Sequence, residues 1–225
     1  MNYVLLSEKS WHESLYADLS SRDKGEKWTW IKSKEEFQVS RLKDLSADLV
    51  FIPHWSYIIP EEIFEQFECI VFHMTDLPFG RGGSPLQNLI VRGFEDTKIS
   101  GLRVVRDLDA GDIYIKKNLE LSGTAREIFE RSSKVIKVMI EEIIDNKLEP
   151  TPQEGEPTLF SRRKPEEGNI SKLEQLEEVY DFIRMLDADS YPKAFLETLK
   201  HKFEFSNASL KKGEEIKAEI RIIKK

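Results

Sequence analysis

The sequence predicts an α/β fold: a mostly parallel sheet with helices on both faces, followed by a small C-terminal helix and β-hairpin region. Three observations predict it. Short apolar runs at 2–6, 47–53 and 69–72 are separated by stretches of helical spacing, the pattern of buried parallel strands with crossover helices. Two alternating stretches, 98–106 and 113–121, then follow one another with no helix between them. Beyond residue 150 the composition shifts, and 148–170 holds four of the nine prolines.

In chain order, "NYVLL" reads as the first strand, and 9–20 as a helix with Trp11, Leu15, Tyr16 and Leu19 at helical spacing. "KWTWIK" alternates with period two, which puts Trp28 and Trp30 on one face as packing residues. "SKEEFQVSRL" predicts a helix capped by Ser33, with Glu36 three residues on. "ADLVFIP" reads as a buried strand, "PEEIFEQF" as a helix with Pro in its first turn, and "CIVF" as another buried strand. "SPLQNLIVRG" predicts a helix ending at Gly93. The stretches 98–106 and 113–121 read as an antiparallel pair joined by "DLDAGD". A long amphipathic helix, 124–147, follows with Thr124 and Glu127 as a capping box. A boundary near 150 gives a catalytic domain, 1–150, and an extension, 151–225, made of a linker, a helix around Leu176, Val179, Phe182, Ile183 and Leu186, and a terminal hairpin.

The 225 residues are 40% hydrophobic and 33% charged, within the range of ordinary globular chains. No apolar run approaches the ~20 residues of a membrane helix, so no membrane partner is expected. "MNYVLLSEKSW" lacks a basic leader and reads as a strand, and the single Cys69 allows no intrachain disulfide; both fit a cytoplasmic setting. The net charge of −7, with signs interspersed, argues against a large nucleic-acid footprint.

In parallel α/β sheets ligands gather beyond the carboxyl ends of the strands. His54 and His73 stand at two such ends. A strand-end histidine is commonly just a hydrogen-bonded loop residue. After His73, however, comes a loop with Gly80, Gly82 and Gly83 around Arg81, leading into a helix start at Ser84–Pro85, a backbone suited to an anion. "DLDAGDIY" holds Asp107, Asp109 and Asp112; on its own it is a turn motif, and three carboxylates without a clear fourth ligand make a weak metal loop.

Taken together, His73, then Leu77-Pro78-Phe79-Gly80-Arg81-Gly82-Gly83-Ser84-Pro85, then Asp109-Ala110-Gly111-Asp112 resemble the formyltransferases that use 10-formyltetrahydrofolate. The likeness spans roughly 47–145 and continues through "SRRKPEEGNI" and "VYDFIRMLDADSYPKAF". It implies a Rossmann-like formyltransferase fold, 10-formyltetrahydrofolate as co-substrate and no metal. It also implies a catalytic His73 oriented by Asp112, and a pterin pocket lined by His54, Trp55, Ser56, Tyr57, Asp107, Leu108 and Ala110. Thr75, Arg81, Gly82, Gly83, Arg162 and Arg163 are the acceptor-binding residues that follow. The wording of 73–93 is similar to the sugar N-formyltransferase branch. That likeness implies a nucleotide-linked amino sugar as acceptor, UDP-4-amino-4,6-dideoxy-L-AltNAc of pseudaminic acid and cell-surface glycan synthesis. The expected partners are thus a small-molecule sugar nucleotide and no nucleic acid, with a homodimer contact through Phe203 and Phe205. Water as acceptor, or a binding protein without catalysis, are the alternatives. The last is motivated by one departure: where the family has Asn two residues before the histidine, to hold the formyl oxygen, this chain has Val71.

Overall fold

The computed structural model describes residues 1–225. Its main sheet has six strands: β1 (Asn2–Ser7), β2 (Lys27–Ile31), β3 (Leu49–His54), β4 (Cys69–His73), β6 (Asp96–Arg103) and β7 (Ile113–Glu120); the two-residue strands β5 (Arg81–Gly82) and β8 (Leu159–Phe160) lie outside it. The order is β2-β1-β3-β4-β6-β7. β1, β2, β3 and β4 pair in parallel, with registers such as Val4↔Val50 and Ile52↔Val71, while β6 runs antiparallel to β4 through His73↔Ser100. The short β6–β7 connection joins hydrogen-bonded neighbours without a crossover, as an antiparallel pair requires. The α/β fold is as expected.

Alternation decides what covers each face. Val4, Leu6, Val50, Ile52 and Cys69 bury one face against Leu42 of α2 (Val39–Asp44) and Ile63 of α3 (Glu61–Phe64). On the other face a side chain at Gly101 would meet Phe72, Ile115 and Met139, the last from α5 (Ala125–Asn146). Phe51 and Tyr3 stack there with Trp28, which is a core residue, and Trp30 donates its indole N–H to the Ser7 carbonyl at 2.8 Å. α1 (Glu13–Ser20) buries Leu15 and Leu19. α5 carries the expected capping box: Glu127 N–H donates to Thr124 Oγ1 at 3.3 Å, and Thr124 N–H to Glu127 Oε2 at 2.7 Å.

One helix start differs. Ser33 accepts the Glu36 N–H at 3.3 Å, as a cap would, but only a turn follows and α2 begins at Val39. Phe37, buried in the core cluster, pulls the chain out of the helical path.

Contacts group the chain into two compact units, and neither is a single stretch. The first holds Met1–Gly82, Thr97–Leu119 and Glu130–Leu159; the second holds Gly83–Asp96, Glu120–Phe129 and Phe160–Lys225. This is finer than one cut near 150, because residues 151–159 close onto the main sheet, where Ile113 and Thr151 exchange backbone hydrogen bonds. In the second unit, α4 (Pro85–Ile90) and α6 (Leu176–Arg184) accompany a three-stranded sheet. That sheet has β10 (His201–Lys211) between β11 (Glu215–Lys224) and a strand the sequence pattern did not reveal, β9 (Ala194–Glu197). Leu196, Phe203 and Ile222 line up across it, as do Ala194, Phe205 and Ile220. Phe203 and Phe205 are half-buried in this sheet, while Ile220 and Ile222 opposite them are exposed.

Phe51 is fully buried between Tyr3 and Trp28. Phe51→Ala is expected to lower unfolding stability by about 3–5 kcal/mol, read as a fall in the urea midpoint at unchanged slope.

Candidate active site

The chain leaves β1 toward one sheet edge and returns to β3 on the other side of β1. The strand ends around Ser7 and His54 thus mark the switch point, with the end of β4 next to them. His73 is the last residue of β4 and is buried. Its Nε2 lies 2.8 Å from the carbonyl oxygen of Gly80. A carbonyl can only accept, so Nε2 carries a proton and Nδ1 is the nitrogen left for exchange. Nδ1 lies 3.5 Å from Oδ2 of Asp109.

The facing carboxylate belongs to Asp109, which corrects the expected role of Asp112. Asp112 lies three residues on, at the start of β7, where its carbonyl accepts the Arg103 N–H at 2.9 Å. Asp109 has φ 53°, a left-handed conformation that Asp tolerates better than most residues. Its Oδ2 accepts the Gly82 N–H at 2.9 Å, so one carboxylate oxygen touches both the histidine and the glycine loop. Gly111 is required two residues further on: a Cβ there would lie 1.8 Å from the Arg103 carbonyl oxygen. The glycine loop is fixed from its other side, where Gly80 N–H donates to Thr158 Oγ1 at 2.7 Å and Arg81 N–H to the Thr158 carbonyl at 3.0 Å. Arg81, expected to bind the acceptor, instead directs Nε and Nη2 at Gln153 Oε1, at 3.2 and 2.8 Å.

Other expected site residues fall differently. Thr75 is fully buried and its hydroxyl points at the Gly80 carbonyl, so it supports the loop and does not face a ligand. Trp55 packs against the core cluster, edge-on to Phe37 and Tyr57. Ser56 donates to Glu8 at 3.1 Å. His54 meets the edge of Trp11, and burial, then the Lys9 charge, hold its pKa down at about 4. Leu108 is 58% exposed, Tyr57, Ile58 and Val105 are also exposed, and the Asp107 carbonyl accepts the Ala110 N–H. In the second unit, Gly83 lies against Arg162, whose Cβ would be 2.6 Å from a Cβ at Gly83. Arg163 caps Phe182 at 5.3 Å and donates to the Glu167 carbonyl at 3.1 Å, which is a structural use of that guanidinium. The Cys69 thiol is buried, and burial pushes its pKa up to about 12.

Two features leave no mark in the sequence pattern. Gln153 lies in the proline-rich stretch that reads as linker, where no periodicity marks it. His12 is buried with Nδ1 2.9 Å from Ser133 Oγ and no hydrogen-bond partner at Nε2.

A model of the methionyl-tRNA formyltransferase C-terminal domain matches residues 165–223. A methionyl-tRNA formyltransferase structure from Clostridium thermocellum is 48% identical over the whole of both chains, with a TM-score of 0.97. The chain belongs to the formyltransferase family. A methionyl-tRNA formyltransferase of Bacillus cytotoxicus is 32% identical over 166 residues, covering 70% of this chain and 53% of that one. The chain thus spans about half the length of the curated relatives it matches. HypX from Aquifex aeolicus shares the fold at 20% identity, TM-score 0.78, over 96% of this chain and 40% of that one. A 4-N formyltransferase from Francisella tularensis, at 16% identity and TM-score 0.67 over 88% and 93% of the two chains, shares it more distantly.

These relatives overturn the sugar-nucleotide acceptor, the pseudaminic acid setting and the expected lack of a nucleic-acid partner. The sugar-branch likeness rested on 73–93, which here forms the end of β4, the glycine loop and α4 and holds the His73 ring against the Gly80 carbonyl. No helix is long and apolar enough to cross a membrane.

His12 gives a pH test. Burial, then the charges of His54 and Lys9, lower its pKa from 6.5 to about 3. Folding keeps it neutral while the unfolded chain takes up a proton, so this stability is complete above pH 6.5 and drains as pH falls toward 3. Going from pH 7 to 5 is expected to cost about 2 kcal/mol at this site. Urea unfolding at both pH values should show that loss shrink in His12→Phe.

Proposed function

We propose that this chain transfers the formyl group of 10-formyltetrahydrofolate to the amino group of methionyl-tRNA. The observation that carries the reading is the 48% identity, end to end, with a methionyl-tRNA formyltransferase structure, alongside the facing His73 and Asp109. The co-substrate fits the residues present. Leu108, Ile58, Tyr57 and Val105 offer apolar flanks to a flat ring, and the 104–110 backbone offers peptide groups to its edge. The folate supplies an activated formyl carbon when bound.

The protein's part follows from the clamp. An attacking amine must lose a proton, and His73 Nδ1 is the nitrogen free to take it, since Nε2–H is held by Gly80. Asp109 opposite Nδ1 stabilises the imidazolium that results, and the buried setting strengthens that attraction. As the amine bonds to the formyl carbon and the bond from that carbon to the folate nitrogen breaks, the His73 imidazolium returns the proton to the leaving nitrogen. Val71 gives no hydrogen bond to the formyl oxygen. With a net charge of −7, the protein meets tRNA through local contacts, and a shallow salt dependence follows.

The deciding assay incubates the protein with formyl-labelled 10-formyltetrahydrofolate and methionyl-tRNA, then counts label in the tRNA. His73→Ala and Asp109→Asn are each expected to lower kcat by about 10²–10⁴-fold, while Asp112→Asn stays within about threefold of the parent. Full activity in Asp109→Asn would sink the mechanism, and unlabelled tRNA with the unaltered protein would sink the acceptor. Val71→Asn should raise kcat by about tenfold or more if the missing donor limits the rate.

A further inference from the structure

Gln153 satisfies the hydrogen-bonding capacity of its side-chain amide within the first unit. Oε1 accepts Arg81 Nε–H and Nη2–H at 3.2 and 2.8 Å. Nε2 donates to the carbonyl oxygens of Asp109 and Gly111, both at 2.8 Å. A guanidinium only donates and a carbonyl only accepts, so the amide has one workable orientation. One side chain therefore ties two loops together. The first presents the Gly80 carbonyl to His73 Nε2, and the second presents the Asp109 carboxylate to His73 Nδ1.

The second loop needs such a tie. Asp109 sits in the left-handed region, and Gly111 passes so close to Arg103 that no side chain fits. A backbone in this state persists only where its surroundings fix it. Two attachments do so around Asp109: the carboxylate on Gly82 N–H and the Gln153 amide on the flanking carbonyls.

We propose that Gln153 is a positioning residue for formyl transfer, holding Asp109 opposite His73 while touching neither substrate nor reacting atoms. The inference rests on the proposed reaction, with Asp109 as the partner of His73.

Gln153→Glu is the informative variant. It keeps the size of the side chain and its bond to Arg81, but sets a carboxylate oxygen against two carbonyls. Gln153→Met removes both ends and serves if the Glu variant does not fold. Arg81→Gln removes the guanidinium and leaves the donors to Asp109 and Gly111 in place. The measurements are kcat and KM for 10-formyltetrahydrofolate, with NMR of the protein carrying ¹⁵N-histidine and ¹⁵N-glycine. For Gln153→Glu and Gln153→Met the expected result is a kcat lower by about 10²-fold, the cost typical of an ångström-scale misplacement, with KM within about threefold. Gly82 amide exchange should be faster and the His73 ring ¹⁵N shifts altered, while Arg81→Gln changes kcat less. Parental kcat, Gly82 protection and His73 shifts in Gln153→Glu or Gln153→Met would overturn the proposal, as would an equal rise of KM with loss of kcat. If the unaltered protein transfers no formyl group, the functional reading fails by itself. The Gly82 and His73 signals then still decide whether Gln153 holds Asp109 in place.

Discussion

The proposed chemistry of this molecule depends on the imidazole of His73 being held from both sides. The Gly80 carbonyl fixes the proton on Nε2, and the Asp109 carboxylate faces Nδ1. Neither partner is on the strand that carries the histidine. The sheet must therefore deliver two loops to one place. The parallel run of β1, β3 and β4 sets the carboxyl ends side by side; β6 runs antiparallel away from them, with Arg103 beside Ile70, and the loop that follows returns Asp109 to His73. The glycines serve this convergence. Gly80 adopts φ 75° so that its carbonyl can turn inward, and Gly111 lets the aspartate loop pass against β6.

The fold was legible because burial leaves a periodic trace. "LVFIP" and "CIVF" are apolar throughout because both of their faces are covered, and Thr124 with Glu127 announces α5. What failed were features set by distant packing. Phe37 belongs to the core, so the Ser33 signal yields only a turn. The short β9 has four residues and owes its state to pairing with β10. At the site, His73 was legible from its strand end. The choice between Asp109 and Asp112 was not, because it depends on which residue occupies the left-handed position and so turns its carboxylate back toward the strand. Gln153 lies among prolines with no pattern around it, and its importance exists only in three dimensions.

The acceptor shows where residue-level reasoning stops. Acidity argued against RNA, yet 165–223, within the expected extension of linker, helix and hairpin, is matched by the methionyl-tRNA formyltransferase C-terminal domain. Net charge averages over the surface, whereas recognition reads local contacts. In this chain even the conspicuous arginines are partly engaged within the protein: Arg163 by Glu167 and Phe182, Arg81 by Gln153. A basic triplet in sequence is therefore a poor measure of the cations presented to a ligand.

Under the proposed reaction, Val71 puts more weight on the histidine. It pairs with Ile52 and Leu102 in mid-sheet and packs on the core, two residues before His73 and so on the same face of β4. At that position a valine contributes to the core and a polar amide would have to be satisfied there. The chain thus has packing where the formyltransferase pattern it resembles implies a donor, and one donor to a developing oxyanion is worth about 10²–10³ in rate. A site that forgoes it depends more heavily on the charge that His73 can develop, hence on Asp109 staying opposite Nδ1. That dependence gives the loop around Asp109, and the single amide tying it to Arg81, more weight here than in a site with the full set of donors.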